Sequence, residues 1–205
     1  MPRVSEAHLA ARRQQILEAS WRCFARDGFH GTTMQDIFEE SGLSAGAVYR
    51  YFPGKIDLVK ATAETVLGGV SQTFDAVDAA EPVPPPDVAF RMVVDGIMNS
   101  TVIGAADHSR IAIHIWSEAL RDPTIGSAVR ELAGRLRQRW TAVATRWRAA
   151  GYIPAQVAPD DVARVMYGLL AGYVQERHIV GDVSADQYVA GFAGLFAGRG
   201  GAASS

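Results

Sequence analysis

Residues 42–52 read Gly42-Leu43-Ser44-Ala45-Gly46-Ala47-Val48-Tyr49-Arg50-Tyr51-Phe52, and Pro53, Gly54 and Lys55 follow. Leu43 and Val48 bracket Ser44 as a hydrophobic staple brackets a helix N-cap. Val48 and Phe52 are four residues apart and share one face, which turns Ala45, Tyr49 and Arg50 outward. Pro53-Gly54 closes the helix. A short helix that exposes small residues, an arginine and phenol hydroxyls suits a DNA groove and its phosphates.

The residues before it supply a scaffold. A helix is expected to start near Thr32-Thr33, where Thr32 with Gln35, or Thr33 with Asp36, fits a capping box. Ile37 and Phe38 face inward on it, and Ser41-Gly42 breaks it. An earlier helix spans about residues 7–26, with Ile16, Leu17, Ser20 and Phe24 on one face, and Asp27-Gly28 ends it. Two helices joined by a short glycine-containing turn, the second short and capped, make a helix-turn-helix. Its second helix enters the major groove with its N-terminal residues at base edges.

Each exposed residue then has a physical role. Ser44 and the free amides behind it can bind phosphate. Ala45 and Gly46 are small enough for close backbone approach, and Ala45 can touch a thymine methyl. Arg50, the only long cation on the helix, can fork onto guanine or clamp a phosphate. Tyr49 and Tyr51 can donate hydroxyl hydrogen bonds to phosphates, Lys55 adds a point charge, and Thr33 can offer its hydroxyl and amide.

The rest of the chain is helical in pattern, with no run of strand alternation. Helices fit about 55–79, 87–103, 107–121, 123–149, 159–179 and 184–197, and Glu81-Pro82-Val83-Pro84-Pro85-Pro86 forms a loop. Ile125, Val129, Leu132, Leu136, Trp140, Val143 and Trp147 make one long apolar stripe. The last two helices are apolar on several sides, which points to a homodimer interface; a central core helix would satisfy the same pattern. The fold class expected is all-α: residues 1–54 as a helix-turn-helix domain and 55–198 as a helical ligand-binding and dimerisation domain. Residues 199–205, Gly, Ala and Ser after Arg199, are expected to be a disordered tail.

Hydrophobic residues make up 48% of the 205, which excludes wholesale disorder. The net charge of −2 by itself argues against a nucleic-acid partner, but its distribution differs. Residues 1–60 carry eight Lys/Arg against seven Asp/Glu, and both lysines, Lys55 and Lys60, lie there. Cys23 is the single cysteine, so no intrachain disulfide forms, as suits a reducing cytosol. No apolar leader and no run of ~20 apolar residues occurs, so a cytoplasmic protein is expected.

Residues about 12–60 resemble the N-terminal domain of the tetracycline-repressor-like (TetR) family of bacterial regulators. The likeness rests on Ile16-Leu17, Ala19, Phe24, Gly28, Gly31-Thr32-Thr33, Ile37, Ser41-Gly42-Leu43-Ser44, Gly46, Val48-Tyr49, Tyr51-Phe52, Lys55 and Leu58. The resemblance implies an all-helical homodimer that represses transcription and leaves DNA when a small molecule binds. It puts Thr33, Ser44, Tyr49, Tyr51 and Lys55 at the DNA backbone, and Ala45, Gly46 and Arg50 nearer the bases. Phe38 stands where alanine is common in the family, and Tyr51 where histidine is frequent.

Other patterns compete less well. Gly42-Leu-Ser-Ala-Gly46 matches the G-x-S-x-G nucleophile elbow, which would make Ser44 an esterase nucleophile paired with His108, His114 or His178. That motif needs a strand before its serine, and an amphipathic helix is expected there. His114 and Glu118 share a helical face, but a zinc site needs three or four ligands, so no metal or other cofactor is expected. Met92, Asn99, His114, Trp116, Trp140, Met166 and Tyr173 are the candidates for a mostly apolar ligand cavity, with Gln175 a further polar group. The alternative reading is a helical ligand-binding protein or enzyme that does not bind DNA specifically.

Overall fold

The computed structural model describes residues 6–103, 106–107 and 109–195, so the expected tail at 199–205 lies outside the described residues. The helices in chain order are α1 (Glu6–Gly31), α2 (Met34–Ser41), α3 (Ala45–Tyr49), α4 (Lys55–Ala79) and α5 (Pro86–Thr101), then α6 (Ile111–Ala119), α7 (Pro123–Ala149), α8 (Pro159–Gln175) and α9 (Ala185–Gly194). The all-α expectation holds, and the expected boundaries of α4 and α7 are met.

Three departures have local causes. The first helix runs past Asp27 to Gly31, with a kink at Gly28, whose φ of 73° and ψ of 175° fall in a region that is essentially glycine-only. Thr32 turns the chain back there by donating its amide and its hydroxyl to the Gly28 carbonyl, at 3.2 and 2.8 Å. Between α5 and α6, Val102 pairs with Asp107 and Ile103 with Ala106 in a two-residue antiparallel ladder, where helix was expected at residues 102, 103 and 107. Val102 and Ile103 are both β-branched, which favours extended backbone. The helix expected to reach residue 179 instead widens into a π-helical turn, Glu176–Val180, closed by left-handed Gly181.

The chain divides into two compact units, one of residues 1–66 with 101–130 and one of residues 67–100 with 131–205. In the first, α1 packs against α2 and α6. Its core gathers Ile16, Leu17, Trp21, Phe24, Ile37, Val48, Phe52 and Leu58, all at most 2% exposed. Each such side chain contributes about 1.5–3 kcal/mol by leaving water. The Trp21 indole N–H donates to Thr62 Oγ1 at 2.7 Å, and that hydroxyl donates to the Leu58 carbonyl, so the core holds no stranded donor at this point.

The second unit is built on aromatic rings. Trp140 meets Phe74 edge-on at 5.0 Å and lies 5.9 Å from Trp147; Phe90 lies 5.0 Å from Phe192. The stripe read from the sequence of α7 supplies this core, with Trp140, Val143 and Trp147 fully buried. Arg146 closes the end of α4 by donating to the carbonyls of Val77, Asp78 and Ala80, as cations do at helix C-termini. Trp147 donates to the Pro84 carbonyl and fixes the proline loop. No helix among the described residues is long and apolar enough to cross a membrane.

Candidate nucleic-acid interface

The site is the surface made by α2, its turn and α3. Thr33 caps α2, and of the two capping boxes the sequence allowed, the one with Asp36 forms. Thr33 Oγ1 accepts the Asp36 amide at 3.2 Å, while Asp36 Oδ2 accepts the Thr33 amide at 2.6 Å and its hydroxyl at 2.7 Å. These bonds, the backbone one first, hold the Asp36 carboxyl below its ordinary range. Both Thr33 donors offered to phosphate by the sequence reading are thus turned onto Asp36.

Gly42 ends α2 in the left-handed region at φ 67°, and its amide returns to the Glu39 carbonyl, as the Leu43 amide does to Phe38. This tight stop sets the angle at which α3 leaves. Ser44 caps α3, its hydroxyl accepting the Ala47 amide at 3.4 Å. Val48, at 0%, and Phe52, at 2% exposed, anchor the helix in the core. Ser44, Ala45, Gly46, Tyr49 and Arg50 form its exposed face, and Tyr51 is half-buried. The serine follows helix α2 and caps a helix, so the strand that a nucleophile elbow requires is replaced by α2.

Three features of this face bear on its chemistry. Arg50 makes no ion pair among the described residues and stands at the C-terminal end of α3. A Cβ on Gly46 would meet nothing within 4 Å, so the fold's own packing does not demand glycine there. The Tyr49 ring, 47% exposed, meets the Phe38 ring edge-on with centroids 5.2 Å apart.

Lys55, read from the sequence as a point charge at the DNA backbone, is held by two carbonyls. Its Nζ donates to the carbonyls of Phe29 and Thr32, at 2.8 and 2.7 Å, and lies 4.5 Å from the Phe29 ring centroid. Burial pushes the amine below the usual lysine range. Lys55 therefore ties the first residue of α4 to the turn between α1 and α2, and keeps one N–H beyond those two bonds.

Other contacts were not legible in the sequence. His30 Nε2 lies 2.8 Å from Glu118 Oε2, so Glu118, buried at 6% exposure, pairs across α1 and α6 with His30. His114 lies beside Gly28, its Nδ1 3.5 Å from where a Cβ would stand. Arg22 and Arg26 both reach Glu40, and the Arg22 hydrogen bond leads in holding that carboxyl below its ordinary range. Partners so far apart in sequence carry no local signal.

The seven candidate ligand residues divide between the units. Trp140, Met166 and Tyr173 are buried, Met92 is half-buried and Asn99 is exposed, all in the second unit. His114 and Trp116 are half-buried on α6, in the first. Trp140 Nε1 is buried without an acceptor among the described residues, whereas Tyr173 receives a hydrogen bond from Arg177 at 3.2 Å. An open cleft of about 480 Å³ in the first unit is lined by other residues, among them Phe29, Met34, Pro53, Lys55, Asp57 and Asp122.

Comparison with known proteins gives this surface a context. Residues 16–62 match the family described as bacterial regulatory proteins, tetR family. The chain is 30% identical over 178 residues to the HTH-type transcriptional repressor Rv1474c of Mycobacterium tuberculosis, covering 83% of this chain and 87% of that protein. In fold it is similar to a TetR transcription regulator of Haloarcula marismortui, with a TM-score of 0.71, 20% identity and coverage of 92% and 97% of the two chains. Salmonella enterica GusR has the same fold, with a TM-score of 0.67, 22% identity and coverage of 95% and 99%.

Proposed function

The chain belongs to the TetR family and is a DNA-binding transcriptional regulator, and we propose that it represses by binding a palindromic operator as a cytoplasmic homodimer, each protomer reading one half-site. One observation carries this reading: the C-terminal end of α3 exposes Arg50, which makes no ion pair among the described residues, on a face that also carries a glycine the fold does not require. A glycine within a helix costs about 1 kcal/mol relative to alanine, so a partner that approaches the backbone there accounts for it better than stability does.

In this reading residues 1–54 form the DNA-binding domain and 55–198 the ligand-binding and dimerisation domain. Arg50, Ala45 and Gly46 read base edges, while Ser44, Tyr49 and Tyr51 bind phosphates. Thr33 reaches a phosphate only by exchanging its hydroxyl from Asp36, and Lys55 supports the surface from behind through its two carbonyl bonds. A small-molecule inducer relieves repression by favouring a conformation in which the two reading heads no longer match the half-sites. Trp140, Met166 and Tyr173, with Met92, Asn99, His114 and Trp116, remain the residues to vary for that ligand.

Arg50→Ala tests the reading. It is expected to relax base preference at one position in each half-site, by about 1–3 kcal/mol of discrimination, when variant duplexes are compared. Uniform weakening on every duplex would reassign Arg50 to the phosphate backbone.

A further inference from the structure

We propose that Phe38 is a positioning residue for DNA binding: from α2 it holds the Tyr49 ring of α3 in the orientation that delivers the phenol hydroxyl to a phosphate. Phe38 is half-buried and packs against the core of the first unit, so its own ring is fixed from behind. Its outer side meets Tyr49 with an interplanar angle of 73°, the edge-to-face geometry in which a positive ring edge faces a negative ring face.

Tyr49 needs such a support. It is the last residue of a five-residue helix and is nearly half exposed, so few contacts restrict its rotamers. A phenol free to rotate loses that freedom when it binds, and the loss weakens the contact. Phe38 removes it beforehand. Alanine or leucine at position 38 would leave Tyr49 without its ring partner, while the Val48 and Phe52 anchors of α3 stayed buried.

This inference rests on the reading of Tyr49 as a phosphate contact, and the experiment separates the two. Binding to a selected duplex is measured for the full chain and for Tyr49→Phe, Phe38→Leu, Phe38→Tyr and the Phe38→Leu/Tyr49→Phe double variant, with thermal melting of each. Phe38→Leu is expected to weaken binding about three- to tenfold, the range an aromatic pair supports. Its salt slope stays unchanged, because the phenol is neutral. Phe38→Tyr keeps the ring and binds as the parent does. In the Tyr49→Phe background, Phe38→Leu adds no further loss.

Parent-like binding by Phe38→Leu, or an undiminished loss in the Tyr49→Phe background, overturns the positioning role while leaving the Tyr49 contact intact. Parent-like binding by Tyr49→Phe overturns the contact and the inference with it. Should Phe38→Leu melt early, Phe38→Met, which fills the space without a ring, is held to the same outcomes.

Discussion

Gly46 separates what the fold wants from what the surface is for. Alanine there meets open space and has the better helix propensity, so Gly46→Ala is expected to raise stability by up to about 1 kcal/mol in thermal melting. It is expected to weaken operator binding at the same time, because a methyl group then stands between backbone and bases. A variant that gained stability and bound as before would remove Gly46 from the interface. Lys55 behaves in the opposite way. Lys55→Met leaves the Phe29 and Thr32 carbonyls without their charged donor, a loss of about 1–3 kcal/mol in stability, and the salt dependence of DNA binding is expected to stay the same. A smaller salt slope would return Lys55 to the phosphate backbone.

The difference between these two residues marks the limit of a sequence at this scale. Exposure of Ala45, Tyr49 and Arg50 follows from the four-residue spacing of Val48 and Phe52, and so was legible. The destination of the Lys55 ammonium depends on two carbonyls more than twenty residues away, and no local pattern announces that.

At the scale of elements, caps and turns carry the site. The capping box of α2 gives a pH dependence. Asp36 is held below its ordinary range in the folded chain, so its contribution is fully present above about pH 4 and is lost as the pH falls through the lowered folded value. Asp36→Asn is expected to flatten the acid decline of the melting temperature in that window; an unchanged decline would place the acid sensitivity elsewhere, for instance at Glu40. At the other end of the turn, Gly28→Ala forces a side chain into a glycine-only conformation and is expected to cost roughly 1–3 kcal/mol of stability. The spacing of apolar residues gave the existence and order of α1 to α9. The ladder of residues 102–103 with 106–107 and the π-helical turn escaped it, because both lie at or next to the ends of expected helices, where β-branching or backbone hydrogen bonding decides otherwise.

For the whole molecule, the assembly matters most. Val165 on α8, Ile179 and Val180 on the π-helical turn, and Leu195 after α9 are each more than 60% exposed in the single chain. Exposed apolar residues on the helices read as an interface are what a second copy would cover. Val165→Glu is expected to yield a folded monomer in sedimentation, with operator affinity lost because a single head contacts only half a site. A monomer that still binds the full operator tightly would remove dimerisation from the mechanism. Composition offered this face as a proposal, through helices apolar on more than one side. Composition offered no ligand site, since buried rings such as Trp140 and Tyr173 suit a core as well as a cavity and only a bound molecule would distinguish the two.

In the proposed mode of binding, α3 reads one half of a palindrome. Selection of bound sequences from random duplex DNA, followed by titration of the winner against salt, addresses it directly. The expected result is a palindrome with half-sites about one helical turn apart and a steep loss of affinity as salt rises. A folded dimer that enriches no sequence at low salt would contradict it, and would leave the helical ligand-binding reading in its place.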